Sequence, residues 1–111
     1  MSLQRQLGRM YYNGDSVPQD YKKAFAWCTK AAEQGDSESQ YKLGRMYDRG
    51  VGVLQDQIKP HVWYSFAGAN GNETGITYRD RLAKKMTSDQ IAEAQKMARE
   101  MVEANPKLMG E

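Results

Sequence analysis

The sequence predicts an all-α fold, an α-solenoid of antiparallel helix pairs, on the basis of three observations. First, fourteen residues between Gln4 and Gly35 recur without a gap thirty-six positions later, between Gln40 and Gly71. Second, apolar residues inside each unit recur every three to four positions, which is the period of an amphipathic helix. Third, Gly, Asn, Asp and Pro cluster between these stretches, as they do in turns. Such an internal repeat is typical of stacked structural units.

The repeat divides the chain into segments of one solenoid domain with about six helices. Residues 1–35 form repeat 1, and residues 36–71 form repeat 2. Residues 72–105 keep the helix-pair rhythm but lose the repeated residues, so we expect a C-terminal capping helix pair whose polar outer face ends the stacking. Residues 106–111, which begin with a proline, are expected to form a short tail.

Repeat 1 predicts two helices, Leu3–Asn13 and Tyr21–Gln34. Asp20 is the expected N-cap of the second helix, and Gly35 is expected to end it in a left-handed conformation. Gly8 lies inside the first helix, where glycine costs about 1 kcal/mol relative to alanine. Its recurrence at the same place in repeat 2 therefore predicts that a neighbouring helix approaches too closely for a Cβ atom.

Repeat 2 predicts a second helix pair with a later start for its second member. The first helix opens at Asp36 or Ser37, where Ser37 and Gln40 fit a capping box. The second helix is expected to begin near Lys59 or Pro60, because proline is tolerated in the first turn of a helix but not in its interior.

The capping pair is predicted from apolar spacing and one further cap. Ile76, Leu82 and Met86 indicate a fifth helix. Thr87 and Gln90 form a capping box that opens a sixth helix, which is expected to run to about Ala104.

Composition excludes several functional classes. The net charge of +2 is mild, so it implies neither a nucleic-acid nor a membrane partner. No apolar run approaches the ~20 residues of a membrane span, and the start lacks the apolar stretch of a signal peptide, so we expect a cytoplasmic protein. A single cysteine cannot form an internal disulfide, and one cysteine with one histidine cannot form a zinc site. We expect no metal and no cofactor.

The chain offers no catalytic constellation, so we expect that it is not an enzyme. Cys28 and His61 belong to different repeats, and nothing in the sequence pairs them. We expect Cys28 to be a buried small apolar residue and His61 to be a surface residue at a helix start. The glycine-rich turn at residues 50–53 lacks the lysine and the spacing of a phosphate-binding loop.

The repeated motifs resemble a known family. Leu-Gly-x-Met-Tyr, Gly-x-Gly-Val-x-Gln-Asp, Trp-Tyr and Ala-Ala-x-x-Gly at this period are similar to the Sel-one-like repeats, relatives of the tetratricopeptide repeats. The resemblance covers Gln4 to Gly71. It implies an α-solenoid that acts as a protein-interaction scaffold, with the first helix of each pair lining a concave face. Ser16 and Cys28 depart from the pattern, since the family has a loop glycine and an aromatic residue at these positions.

Basic residues on the implied concave face form the candidate partner-binding site. Arg9 and Arg45 are equivalent in the two repeats, so stacking would place them in a row able to pair with carboxylates of an extended peptide. Tyr12 and Asp48, also equivalent, would flank this row, and a solvated face without a ligand is the alternative interpretation. The candidate residues are Arg5, Arg9, Tyr12, Lys42, Arg45, Asp48 and Arg49.

Three alternatives accompany this hypothesis. Some cysteine-rich relatives have been discussed as β-lactamases or penicillin binders, but this chain has neither their cysteine pairs nor a plausible nucleophile. Nucleic-acid binding through the arginine row would give a steep salt dependence. The N-terminal edge lacks a polar capping helix, so it is expected either to self-associate or to continue a longer array.

Overall fold

The all-α architecture is confirmed by a computed structural model that describes residues 2–110. Met1, the first residue of predicted repeat 1, and Glu111, the last residue of the predicted tail, lie outside the described residues. Residues 2–110 contain six α-helices and a short 3-10 helix, and no strand. The helices are α1 (Leu3–Asn13), α2 (Tyr21–Glu33), α3 (Ser37–Arg49), α4 (Lys59–Ala69), α5 (Glu73–Ala83) and α6 (Ser88–Ala104), followed by the 3-10 helix Pro106–Met109.

The helices form a solenoid of antiparallel pairs, in which each of the first four packs against the next in sequence and α6 returns to pack against α4. The described residues extend over 43 × 29 × 23 Å, as expected when units stack along one direction. The main apolar core lies where α2, α3, α4, α6 and the 3-10 helix meet. Its buried members are Ala32, Leu43, Val62, Trp63, Phe66, Ala94 and Leu108.

The helix boundaries follow the predicted signals closely. Asp20 caps α2 by accepting a hydrogen bond from the backbone N–H of Lys23 at 3.1 Å. The predicted capping box of Thr87 and Gln90 is present at the start of α6. The late start of α4 is also confirmed, since it begins at Lys59 with proline in the first turn.

The turn between the two helices of each repeat is held by the side chain of an equivalent glutamine. Gln19 donates to the backbone carbonyl of Tyr12 at 2.9 Å, and its equivalent Gln55 donates to the carbonyl of Asp48 at 3.0 Å. Both bonds tie the loop before a second helix to the last turn of the first helix. The recurrence of this glutamine therefore has a structural reason.

The predicted close approach at the helical glycines is confirmed. A Cβ atom on Gly8 would lie 2.9 Å from the Sγ atom of Cys28, and one on Gly44 would lie 2.6 Å from the ring of Tyr64. Cys28 and Tyr64 are repeat-equivalent residues. In both repeats, glycine in the first helix thus makes room for the side chain of the second.

Ser16 adopts a left-handed conformation (φ 68°), as does its equivalent Gly52 (φ 76°). Glycine reaches this region without the penalty of about 1–2 kcal/mol that other residues incur, but it loses more entropy on folding. We therefore expect Ser16→Gly to raise the free energy of unfolding by about 0.5 kcal/mol. Urea denaturation measures this change, and an unchanged or lower stability would contradict it.

The capping box predicted at the start of α3 is wrong. Asp36 is the N-cap, and its carboxylate accepts a hydrogen bond from the backbone N–H of Ser39 at 3.0 Å. Gln40 instead points into the core, where its Nε2 donates to the carbonyls of Ala32 at 3.0 Å and Leu108 at 2.9 Å. The reason is that Asp36 already satisfies the first turn, while the buried carbonyls need a donor.

The segment predicted as a tail is instead packed against the domain. Within it, Leu108 is 2% exposed and joins the main core. Asn70 donates to the carbonyl of Leu108 at 2.9 Å, and Asn105 donates to the carbonyl of Glu33 at 2.9 Å. The 3-10 helix therefore ties the end of α2 to the end of α4, across the boundary between the repeats.

Candidate partner-binding face

Side chains of α1, α3 and α5 contact one another in succession, so the first helices of the three pairs share a continuous surface. The ammonium of Lys42 on α3 lies 4.7 Å from the ring centre of Tyr12 on α1. The guanidinium of Arg45, also on α3, lies 4.9 Å from the ring centre of Tyr78 on α5. Both contacts are within the range of cation–π attraction. We call this surface the first-helix face.

Arg45 is held among tyrosines instead of projecting freely. Its Nη1 donates to the hydroxyl of Tyr41 at 2.8 Å and, more weakly, to that of Tyr78 at 3.4 Å. The ring of Tyr78 also has the guanidinium of Arg81 5.2 Å from its centre. A hydrogen bond with Tyr41, together with the charges of Arg45 and Arg81, lowers the pKa of Tyr78.

Arg81 is a further member of the row that was not predicted from the sequence. It lies thirty-six residues after Arg45, as Arg45 lies thirty-six residues after Arg9. The N-caps Asp36 and Asn72 share the same spacing, so α5 keeps the register of α3. The period was therefore available as a signal, but it was hidden because the other repeated residues are absent from α5.

Arg5 does not project from the face as a free cation. Its Nη1 lies 3.3 Å from the carboxylate of Asp36, and its Nε lies 3.8 Å from Glu38, too far for a hydrogen bond. Both acidic residues lie at the start of α3. Arg5 therefore links the first helices of the two repeats electrostatically.

The other candidate residues differ in exposure. Arg9 and Arg49 are exposed, whereas Asp48 is half-buried and accepts a weak hydrogen bond from the hydroxyl of Tyr64 at 3.4 Å. Burial, followed by the charge of Asp48, raises the pKa of Tyr64. Arg9 lines an open depression of about 430 Å³ with Gln6, Met10, Asn13 and Asp15.

A more enclosed cleft of about 390 Å³ lies at the C-terminal end of the first-helix face. One wall comes from the end of α3 and the loop that follows it, and the other comes from α5 and the turn into α6. We call it the α5 cleft. Its lining residues are Asp48, Gln55, Asp56, Gln57, Tyr78, Arg81, Leu82, Lys85, Met86 and Gln90.

The two residues with nucleophile or base chemistry are buried in different places. Cys28 is 2% exposed in the core of repeat 1, in agreement with its predicted apolar role. His61 was expected at the surface, but it is only 7% exposed, because α4 is enclosed by the elements packed around it. Burial, and then the charge of Arg79, lowers the pKa of His61. Among residues 2–110, no three His, Cys, Asp or Glu side chains are grouped to hold a metal ion.

We expect Cys28 to be unreactive in the native protein. Burial raises the pKa of its thiol to about 11. Since an unfolded thiol has a pKa of about 8.5, the neutral Cys28 favours the fold below that pH, and this contribution is lost as the pH rises towards 11. A thiol reagent at about pH 8 should label the chain only after denaturation, with Cys28→Ala as the unlabelled control. Rapid labelling of the native chain would contradict this expectation.

Along residues 2–110, no helix combines the length and apolar character needed to cross a membrane.

No curated protein matches the chain. Solved structures do match it over most of its length. A protective antigen present in uropathogenic Escherichia coli strains, described as displaying an SLR fold, is 32% identical with a TM-score of 0.86. The match covers 96% of this chain but only 23% of the antigen, so the chain spans about a quarter of that protein's length.

A second solved structure gives a similar result. A Sel1 repeat protein from Oxalobacter formigenes is 38% identical with a TM-score of 0.69, over 70% of this chain and 59% of that one. The family model described as the Sel1 repeat matches residues 2–36 and 37–72. These two units coincide with the two helix pairs α1–α2 and α3–α4. The chain therefore belongs to the Sel1 repeat family.

Proposed function

We propose that this protein is a non-enzymatic interaction scaffold, and that its first-helix face is a concave groove that holds an extended segment of a protein partner. The observation that carries the proposal is the succession of cation–aromatic contacts joining α1, α3 and α5. Sel1 repeats generally mediate protein interactions, which supports the same function.

The face is suited to a peptide because its residues are already in place. Tyr41, Tyr64 and Tyr78 form a cluster with ring centres 5.4–6.1 Å apart, and Arg45 is fixed by its bonds to two of them. Aromatic rings and guanidinium groups held in this way lose little entropy when a partner binds. Tyrosine and arginine are also enriched where interfaces gain most of their binding energy.

Retrieval of partners from cells of the source organism tests this function. The α3 variant carries Lys42→Glu and Arg49→Glu, which reverse two charges of the face without removing Arg45 from its tyrosine cluster. The α6 control variant carries Lys96→Glu and Arg99→Glu, two exposed positions away from the face, and changes the net charge equally. We expect the α3 variant to lose the partners and the α6 variant to keep them, with unchanged helical circular dichroism. Retention of the partners by the α3 variant would refute the proposal.

Self-association through the N-terminal edge is a second candidate, and a contrast in burial between the repeats favours it. Leu43 and Gln40 are 1% and 0% exposed, whereas their equivalents Leu7 and Gln4 are only half-buried. Equivalent positions are therefore covered in repeat 2 and more open in repeat 1. Covering the positions in repeat 1 with another helix pair would bury apolar area in the same way.

Light scattering over a wide concentration range tests this second candidate. We expect a concentration-dependent rise in mass that Gln4→Arg abolishes, because the substitution places a charge on the open edge. Gln6→Arg is the control, since Gln6 is exposed on the same helix. A monomer at every concentration would contradict self-association.

A further inference from the structure

We propose that the α5 cleft binds an extended peptide in which acidic and apolar residues alternate. This inference rests on the proposed function, because it assigns the chemistry of the partner at one end of the first-helix face. Its basis is the charge and the shape of the cleft.

Two cations in the lining of the cleft have no carboxylate partner within the described part of the fold. Arg81 and Lys85 are exposed, and no carboxylate lies within 4.0 Å of either one among residues 2–110. The two acidic residues are occupied within the fold. Asp56 accepts hydrogen bonds from the backbone N–H groups of Ile58 and Lys59, each at 2.8 Å, and Asp48 accepts from Tyr64. A carboxylate entering the cleft would therefore meet two cations that no internal carboxylate of the described residues pairs with.

An apolar row runs beside the two cations. Leu82 and Met86 each follow one of the basic residues in sequence, and both are half-buried in the lining of the cleft. Leu82 lies on α5, while Lys85 and Met86 belong to the turn that continues it, in which the N–H of Lys85 donates to the carbonyl of Leu82 at 2.9 Å. Basic and apolar side chains thus lie next to each other at the end of α5 and again in the turn that follows it.

An extended peptide suits this arrangement. Successive side chains of an extended strand point to opposite sides. A strand lying along the end of α5 and the turn after it can therefore present carboxylates to Arg81 and Lys85 while the intervening residues turn to Leu82 and Met86.

The cleft favours a peptide over a nucleic acid because its lining can pair with backbone amides. Gln57 and Gln90, joined by a hydrogen bond of 3.3 Å, add primary amides to the lining. Amides both donate and accept, so they suit the alternating N–H and C=O groups of a peptide backbone.

Fluorescence anisotropy with a synthetic peptide tests the proposal. The probe is a labelled hexapeptide of alternating glutamate and leucine with both ends capped. The cleft variant carries Arg81→Glu and Lys85→Glu, and the α6 control variant described above makes the same change in net charge. We expect the cleft variant to bind the probe at least tenfold more weakly than the wild-type chain, and the α6 variant to bind it normally. Equal affinities for the two variants would overturn the proposal.

Three further probes define the specificity. Peptides that alternate lysine with leucine, or glutamate with serine, should each bind at least tenfold more weakly than the probe. A single-stranded oligouridine should not compete. Competition by this RNA, or equal affinity for either control peptide, would overturn the proposal. If the cleft fails these tests while the α3 variant still loses its cellular partners, only the assignment of the cleft fails and the scaffold function stands.

Discussion

Replacing Trp63 with alanine is expected to lower the free energy of unfolding by about 3–5 kcal/mol. Trp63 is 6% exposed and belongs to the main core. Its ring meets that of Phe66 edge to face, with centres 5.5 Å apart. A loss of this size is a large part of the roughly 5–15 kcal/mol that stabilises a typical domain.

The equivalent substitution in repeat 1 is the control for this prediction. Trp27 is only half-buried, with the ammonium of Lys30 lying 4.8 Å from its ring centre. Since less apolar area is lost, Trp27→Ala is expected to cost about 1–2 kcal/mol. Urea denaturation followed by circular dichroism compares the two variants. Equal losses would show that the two repeats are covered to the same extent, contrary to the structure.

Replacing Gly52 with alanine is expected to lower the free energy of unfolding by about 3 kcal/mol. Two penalties add at this position. Its φ of 76° is left-handed, which disfavours any residue with a Cβ atom. The new Cβ atom would also overlap the backbone carbonyl of Tyr21, which cannot move as easily as a side chain. The loop after α3 would therefore have to separate from the start of α2.

Gly71→Ala separates these two penalties. Gly71 is also left-handed, with a φ of 96°, but a Cβ atom there would have no neighbour within 4 Å. Only the conformational penalty applies, so we expect a loss of about 1 kcal/mol. Chemical denaturation of both variants measures the difference. A loss for Gly71→Ala as large as that for Gly52→Ala would mean that contact with Tyr21 contributes nothing.

The features that depend on local sequence or on the repeat were predictable. The bounds of α1, the N-cap Asp20 and the close approach at Gly8 follow from helix signals and from the recurrence of a costly glycine. These signals act over a few residues, or across one repeat unit. They can therefore be recognised in one chain.

Contacts between distant segments were not predictable in the same way. Gln40 donates to Leu108, sixty-eight residues away, and no local pattern indicates that partner. The short-range fit of Ser37 with Gln40 to a capping box was consequently misleading. His61 was misplaced for a related reason, because its burial depends on elements that pack around α4 and not on its position at a helix start.

The candidate site was likewise predictable only in part. The repeat spacing indicated Arg9 and Arg45, and extended by one more period it reaches Arg81. It did not reveal that Arg5 pairs with Asp36 or that Arg45 is held by tyrosines, because these contacts join different helices. Which cations remain available to a partner is therefore a property of the packed structure.

The most direct test is an amide-resolved NMR footprint of the chain with a protein partner retrieved from the source organism. If the first-helix face is the binding groove, shifts and signal loss should concentrate in α1, α3 and α5, and should include Tyr12, Lys42 and Tyr78. The amides of α6 around Lys96 should be unaffected. A footprint confined to α2, α4 and α6 would contradict the assignment of the groove.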